Sequence, residues 1–265
     1  MAVAEDPLSS PPPAEVPLRE APLVRVIAQV RVPPILSIEQ KSYVAPFQEA
    51  IRSAYPLLRI EQIHGLIVTP SGVVQGPRQT VWRFFDESEA WRVTIAPDFF
   101  ALETTRYSSR ADFLKRLGEL LEAAGQHFSP KLVLRLGLRY IDRISGPDVA
   151  RICDFVRTEV RGIAGTPMAS RAVHSICESV FEMDGERVVA RWGNMPANAT
   201  VDPGAIEPIP EASWILDLDM HSEGNRHYSA EALVLDAEKY AERLYSVFRW
   251  AITAEFLERY GGAQR

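Results

Sequence analysis

Arg135, Arg139 and Arg143 recur every fourth residue along an extended stretch, so they share one face of a strand. Three guanidiniums in a row suit a carboxylate, a phosphate or an acidic protein partner, because each presents a fork of donors to a planar anion. Gly137, between the first two, leaves room for a close approach. The competing reading has more weight: a solvated outer sheet face whose arginines pair with Asp or Glu from neighbouring strands.

A second cluster, Asp217, Asp219 and His221, shares one face of a strand that buries Trp214, Leu216, Leu218 and Met220 on the other. Two carboxylates and an imidazole are ligands for a divalent metal, and His227 follows closely. Asp-x-Asp-x-His on a strand has no fixed metal spacing behind it, however, so a polar solvent face at a strand end is the expectation, with no metal. The third candidate is residues 193–212, which hold Pro196, Pro203, Pro208 and Pro210 and show no periodicity. A stretch that long is a lid, a partner-binding arm or disorder.

Little else in the chain suggests catalysis. His64, His127 and His174 lie apart, and there is no glycine-rich phosphate loop, G-x-S-x-G, H-E-x-x-H or C-x-x-C. The balance is against an enzyme without excluding one, and no cofactor is expected. Cys153 and Cys177 fall in apolar patterns and read as buried free thiols. With 35 acidic against 29 basic residues, of which only Lys41, Lys115, Lys131 and Lys239 are lysines, the chain lacks the basic balance of a nucleic-acid binder. No apolar run approaches the ~20 residues that span a bilayer, and no secretory leader opens the sequence, so a cytoplasmic location without membrane contact is expected.

The elements that must position these residues come in the same order twice. The first pass is a strand Leu23 to Val32, a helix within Ile38 to Tyr55, strands near Gly65 to Thr69, Thr80 to Asp86, Trp91 to Ala96 and Phe99 to Arg106, and a helix from Ala111 to Phe128. Ser37 with Gln40, and Ser109 with Asp112, are candidate helix starts; Pro46 would sit in the first turn of a late-starting helix. The second pass is a strand Leu132 to Ile144 with Leu132, Leu134, Leu136, Leu138 and Tyr140 facing inward, and a helix around Val149 to Val160. Strands follow near Ala172 to Glu182, Arg187 to Trp192 and Ser213 to Met220, and one long helix runs from Ser229 to Gly261. Asp184-Gly185 is a two-residue hairpin signal. The aromatics Trp82, Phe84, Trp91, Phe99 and Phe100 would line a ligand cavity under a long helix, though plain core is the commoner use of such positions.

The expected fold class is α+β: a duplicated strand-helix-(antiparallel strands)-helix unit forming a curved antiparallel sheet covered by helices, TATA-binding-protein-like or helix-grip-like by analogy. Residues 1–21, rich in proline and small or acidic types, read as a disordered lead-in. Residues 22–130 and 131–262 read as two halves sharing one sheet or core.

Several stretches, APLVRVIAQVRVPP, WRVTIAPDFFALETTRYSSRADFLKRL, LRLGLRYIDRI, WILDLDMH and FRWAITAEFLERYG, together resemble a sporadically distributed, uncharacterised prokaryotic family of about this length. The resemblance runs from Pro22 to Gly261 and carries no established catalytic residues. It implies an accessory gene of the kind that serves defence or toxin and antitoxin pairs. The expected function is therefore a non-enzymatic cytoplasmic binding or regulatory protein acting through a protein partner or self-association. The alternative is a small-molecule binder or enzyme with its pocket between the sheet and a long helix, gated by the proline-rich loop.

Overall fold

The computed structural model describes residues 6–69 and 72–262, without the side chains of 64–69 and 72–77. The first pass comprises β1 (Leu23–Arg31), α1 (Lys41–Ile51), β2 (Leu57–Thr69), β3 (Gly72–Phe85), β4 (Trp91–Ala96), β5 (Phe99–Thr104) and α2 (Arg110–Phe128). The second comprises β6 (Leu132–Ser145), the short helices α3 (Ile152–Phe155) and α4 (Thr158–Arg161), β7 (Ser175–Met183), β8 (Glu186–Met195), β9 (Ser213–His227), α5 (Ala230–Ala251) and α6 (Ala254–Arg259). The class is α+β, with a nine-stranded antiparallel sheet in the order β2-β3-β4-β5-β1-β6-β9-β8-β7. Read outward from the centre, β1, β5, β4, β3, β2 on one side is answered by β6, β9, β8, β7 on the other, one strand short. The order of elements in the sequence and the order of strands in the sheet thus repeat together.

The chain packs as two compact units that do not coincide with its two halves: Ile27–Gly137 with Ser222–Glu238, and Met1–Val26 with Leu138–His221 and Lys239–Arg265. In the first, Phe47 of α1 lies against Phe84 and Phe128, and Phe100 stacks on Phe128 at 5.7 Å. Trp82 donates its Nε1–H to the carbonyl of Ile38, and Arg116 lies over the Trp91 ring at 4.4 Å. These aromatics are core, as their commoner use suggests. Ser109 caps α2, accepting from the Asp112 N–H at 3.1 Å. The Ser37 and Gln40 box does not form: neither the 3-10 turn Leu36–Glu39 nor α1 has a side-chain cap, and Pro46 sits inside α1 beyond its first turn. Part of the expected turn between β2 and β3, Pro70 and Ser71, lies outside the described residues.

In the second unit three expectations are corrected. The long C-terminal helix ends at Ala251 and restarts as α6, and the helix expected over Val149 to Val160 breaks at Val156. One event causes both: Val156 and Ile252 form an antiparallel bridge, with Arg157 N–H donating to Ala251 O (2.9 Å) and Thr253 N–H to Phe155 O (3.0 Å). Apolar periodicity runs straight through such a break, because Ile252 and Phe256 both stay buried; only the cap, Thr253 accepting from Phe256 N–H, marks it.

The lead-in is the third correction. From Asp6 onward it is docked rather than disordered, since Arg243 of α5 donates to the carbonyls of Pro7 and Ser10 (2.8 and 2.9 Å) and Arg249 to that of Ala14. Tyr245 Oη accepts from Val16 N–H at 2.7 Å, and Arg259 pairs with Glu20. The segment buries little apolar surface, but prolines leave carbonyls without local donors and restrict the unfolded chain, so arginines and a tyrosine suffice to hold it. At Asp184 and Gly185 φ is positive at both residues, as a tight hairpin between β7 and β8 requires. Cys153 and Cys177 are free and half-buried. No described helix is long and apolar enough to cross a membrane.

Candidate functional site

β6 does not divide cleanly into a buried leucine face and a solvated arginine face. Leu134 is exposed, while Val133, Gly137 and Ile141, on the arginine side, are buried. Arg135 belongs to the first unit, and its guanidinium lies over its neighbour Gly137, where an added Cβ would stand 2.4 Å from Nη1. The space that glycine opens is filled from within the strand, not kept for a ligand. Arg139 and Arg143 belong to the second unit, where Arg139 meets two acidic groups that the sequence placed in separate candidates.

Arg139 is the hub. Its Nε and Nη2 donate to the two oxygens of Asp217 on β9 (2.7 and 2.8 Å), and its Nη1 donates to Asp202 in the loop after β8 (2.7 Å). The fork-to-fork geometry with Asp217 is the strong form of this pair. Arg191 on β8 also approaches Asp217, at 3.5 Å, and reaches Glu178 on β7. The Asp217 side chain is fully buried and that of Arg139 is 15% exposed, so Asp217 is no part of a solvent face, contrary to expectation. Burial works against the Arg139 charge, and Asp217 and then Asp202 overcome it and hold the guanidinium protonated. Burial also opposes the Asp202 charge, but Arg139 and the N–H groups of Gly204 and Ala205 outweigh it and bring its pKa below the ordinary carboxylate value.

Arg143 and Arg25, the latter on β1, make a second pair of contacts to the same loop. Arg25 donates to Glu207 (3.0 Å) and to Gly204 O, and Arg143 donates to Glu207 O at 2.7 Å. Among the described residues no carboxylate stands within ion-pair distance of Arg143, and its Nε is buried without a partner. Burial, with Arg25 nearby, lowers its pKa against the pull of Glu207.

The structureless stretch is accordingly shorter and better built than the sequence implies. β8 runs on to Met195, and the remaining loop, 196–212, is folded on itself: Asn198 N–H donates to Ile209 O, Ile206 N–H to Asp202 O, and Ala205 and Ile206 are buried. Asp202 and Glu207 point back at the arginines of the sheet. Of the rest of the second cluster, His221 Nδ1 lies 3.9 Å from Asp219, and His227 falls in the other unit. Both oxygens of Asp217 are committed to arginine, and among the described residues no three His, Cys, Asp or Glu side chains are grouped as metal ligands.

Sequence reasoning missed Arg25, Arg191, Asp202 and Glu207. A usable signal was present: a loop with three acids joins neighbouring strands that carry Arg191 and Asp217, so it must cross one face of the sheet near them. It also missed Asp142, which lies on the leucine side of β6 and whose carboxyl burial pushes up to about 7. No family model and no curated protein matches the chain.

Proposed function

We propose that the protein is a non-enzymatic binding protein whose arginine face, Arg25, Arg139 and Arg143, receives an acidic segment of a partner protein, with loop 196–212 as its resident occupant. The observation that carries this reading is that buried guanidiniums are met by carboxylates from an exposed loop: the Arg25 and Arg139 side chains are 9% and 15% exposed, those of Glu207 and Asp202 77% and 39%. What these arginines hold is an acidic peptide, two carboxylates five residues apart plus the carbonyls of Gly204 and Glu207. Arg143, desolvated and without a carboxylate, favours an occupant that supplies one. The accessory-gene setting implied by the family resemblance is one in which a dedicated protein partner is expected.

A synthetic peptide of residues 199–210 tests it. In the full chain carrying Asp202→Asn and Glu207→Gln the face is released, and the peptide should bind at least tenfold more tightly than to wild type, with affinity falling as salt is raised. The same peptide with both acids amidated should not bind. Failure of the released variant to bind the acidic peptide overturns the reading and leaves the network a structural one.

A further inference from the structure

The first unit ends its side of the sheet on β2, and the residues along that edge match a second copy of themselves. Among the described residues β2 pairs with β3 alone, so along residues 57–63 every second residue turns its N–H and C=O outward with no strand to receive them. Edges are commonly guarded against further pairing by a proline or a bulge. This stretch has neither: it holds no proline, and its register with β3 is regular, the irregularity between His64 and Leu66 falling beyond it. Leu57, Ile60 and Ile63 are nonetheless exposed, three apolar side chains at even spacing around one opposite-charge pair, Arg59 and Glu61.

The order of these residues is self-complementary. Laid antiparallel against a second copy about a two-fold axis at Ile60, Leu57 faces Ile63, Leu58 faces Gln62, Arg59 faces Glu61 and Ile60 faces Ile60, and every pair recurs across the axis. Opposed residues share a face of the sheet, where apolar and opposite-charge pairs are the favourable ones. The register is specified as well, because moving the axis by one residue sets Arg59 against Arg59 or Glu61 against Glu61. Within the chain Arg59 donates to Glu89 at 2.7 Å and lies over Phe85, and Arg83 donates to Glu61 at 2.9 Å, so both charged side chains are held beside the edge. The opposite edge, β7, also exposes Val180 and Phe181, but its charged residues are Glu178 and Glu182, and no pairing of that strand with itself brings opposite charges together. We propose that two copies of this chain associate edge to edge through β2 in the Ile60-centred register, each supplying the strand the other lacks. Seven residues make a contact about 20–24 Å long. That is less than a standard interface, so the dimer is reversible, with Kd on the order of 1–100 µM. The surface lies within the first unit and is independent of the arginine face.

Sedimentation velocity on the full chain, from about 1 to 300 µM, should show a monomer passing into a dimer. Arg59→Glu leaves two acids opposed across the axis and Glu61→Arg two bases, so each variant alone should associate about tenfold or more weakly than wild type. Mixed in equal amounts, the two variants present acids to bases in the same register and should form a mixed dimer at close to wild-type strength. Thermal melting shows that each variant is folded. A wild type that stays monomeric throughout leaves the edge to a strand from a different protein and overturns the proposal. A single variant that associates like wild type, or two folded variants that form no mixed dimer, overturns it equally. If either variant does not fold, Ile60→Lys, which opposes two ammonium groups at an exposed position on the axis, decides alone: association should weaken about tenfold or more, and unchanged association overturns the proposal.

Discussion

Removing the Arg139 guanidinium tests how the site is built. Arg139→Ala strips both oxygens of a fully buried Asp217 side chain of their close donors and leaves Arg191 as its nearest cation, at 3.5 Å. Breaking a buried pair from one side leaves an uncompensated charge and costs about 3–5 kcal/mol. The lost contact to Asp202, whose side chain is 39% exposed, adds under ~1 kcal/mol because solvent screens it. Against a total stability of about 5–15 kcal/mol the variant is expected to fold but to melt far earlier. Urea denaturation at pH 7, with the slope checked for constancy, measures the loss. Asp217→Ala on top of Arg139→Ala should recover part of it, a coupling on the order of 1–3 kcal/mol in the double-mutant cycle. A single-variant loss below about 1 kcal/mol, or strictly additive losses, would refute the picture of a desolvated hub.

Two other changes probe features that no sequence pattern marked. The Asp142 carboxyl, raised by burial from 3.8 to about 7, stays protonated in the fold only below about neutral pH; its stabilising effect is complete below the unfolded value and is lost as pH rises through 7, a cost of roughly 4 kcal/mol by pH 8. Asp142→Asn should therefore leave stability near pH 4 almost unchanged and raise it by up to that amount at pH 8, and parallel pH profiles for the two proteins would count against it. Deleting residues 1–20 removes the hydrogen bonds to Arg243, Arg249 and Tyr245. At about 0.5–1.5 kcal/mol net each, less the ordering entropy regained, a loss of roughly 1–3 kcal/mol is expected in thermal unfolding, and an unchanged melting temperature would show that the docking contributes nothing.

What the sequence made legible was whatever depends on local period and punctuation. Strands near Trp91 to Ala96, the helix capped at Ser109, the Asp184-Gly185 hairpin and the repeated order of elements are all visible because alternation, capping and positive φ are properties of a few consecutive residues. What was not legible depends on long-range pairing. The break at Ala251 is made by Val156, nearly a hundred residues earlier, and the docking of the lead-in is made by Arg243 and Tyr245, more than two hundred later. Alternation also misjudged the outer face of β6. Ile141, on the arginine side, is buried because burial on a central strand is set by what lies across it, and there loop 196–212 brings Asp202 and Glu207 over the sheet's arginines.

The arginine row and the proline-rich loop were two unrelated features as sequence and are one in the structure, and that bears on what each is for. An arginine ladder that served stability alone would be satisfied on the sheet itself, as Arg139 is by Asp217 and as Arg92 is by Glu103 in the other unit. Arg143 is not: it donates to a carbonyl of the loop, and Arg25 reaches the same loop at the Glu207 carboxylate and the Gly204 carbonyl. The pairing that holds the fold, Arg139 to Asp217, is thus separable from the pairing that holds the loop. Neutralising Asp202 and Glu207 should free the second while sparing the first, whereas Arg139→Ala damages both. A site with that division can lose its resident peptide without losing its frame, which is the property a displaceable occupant requires.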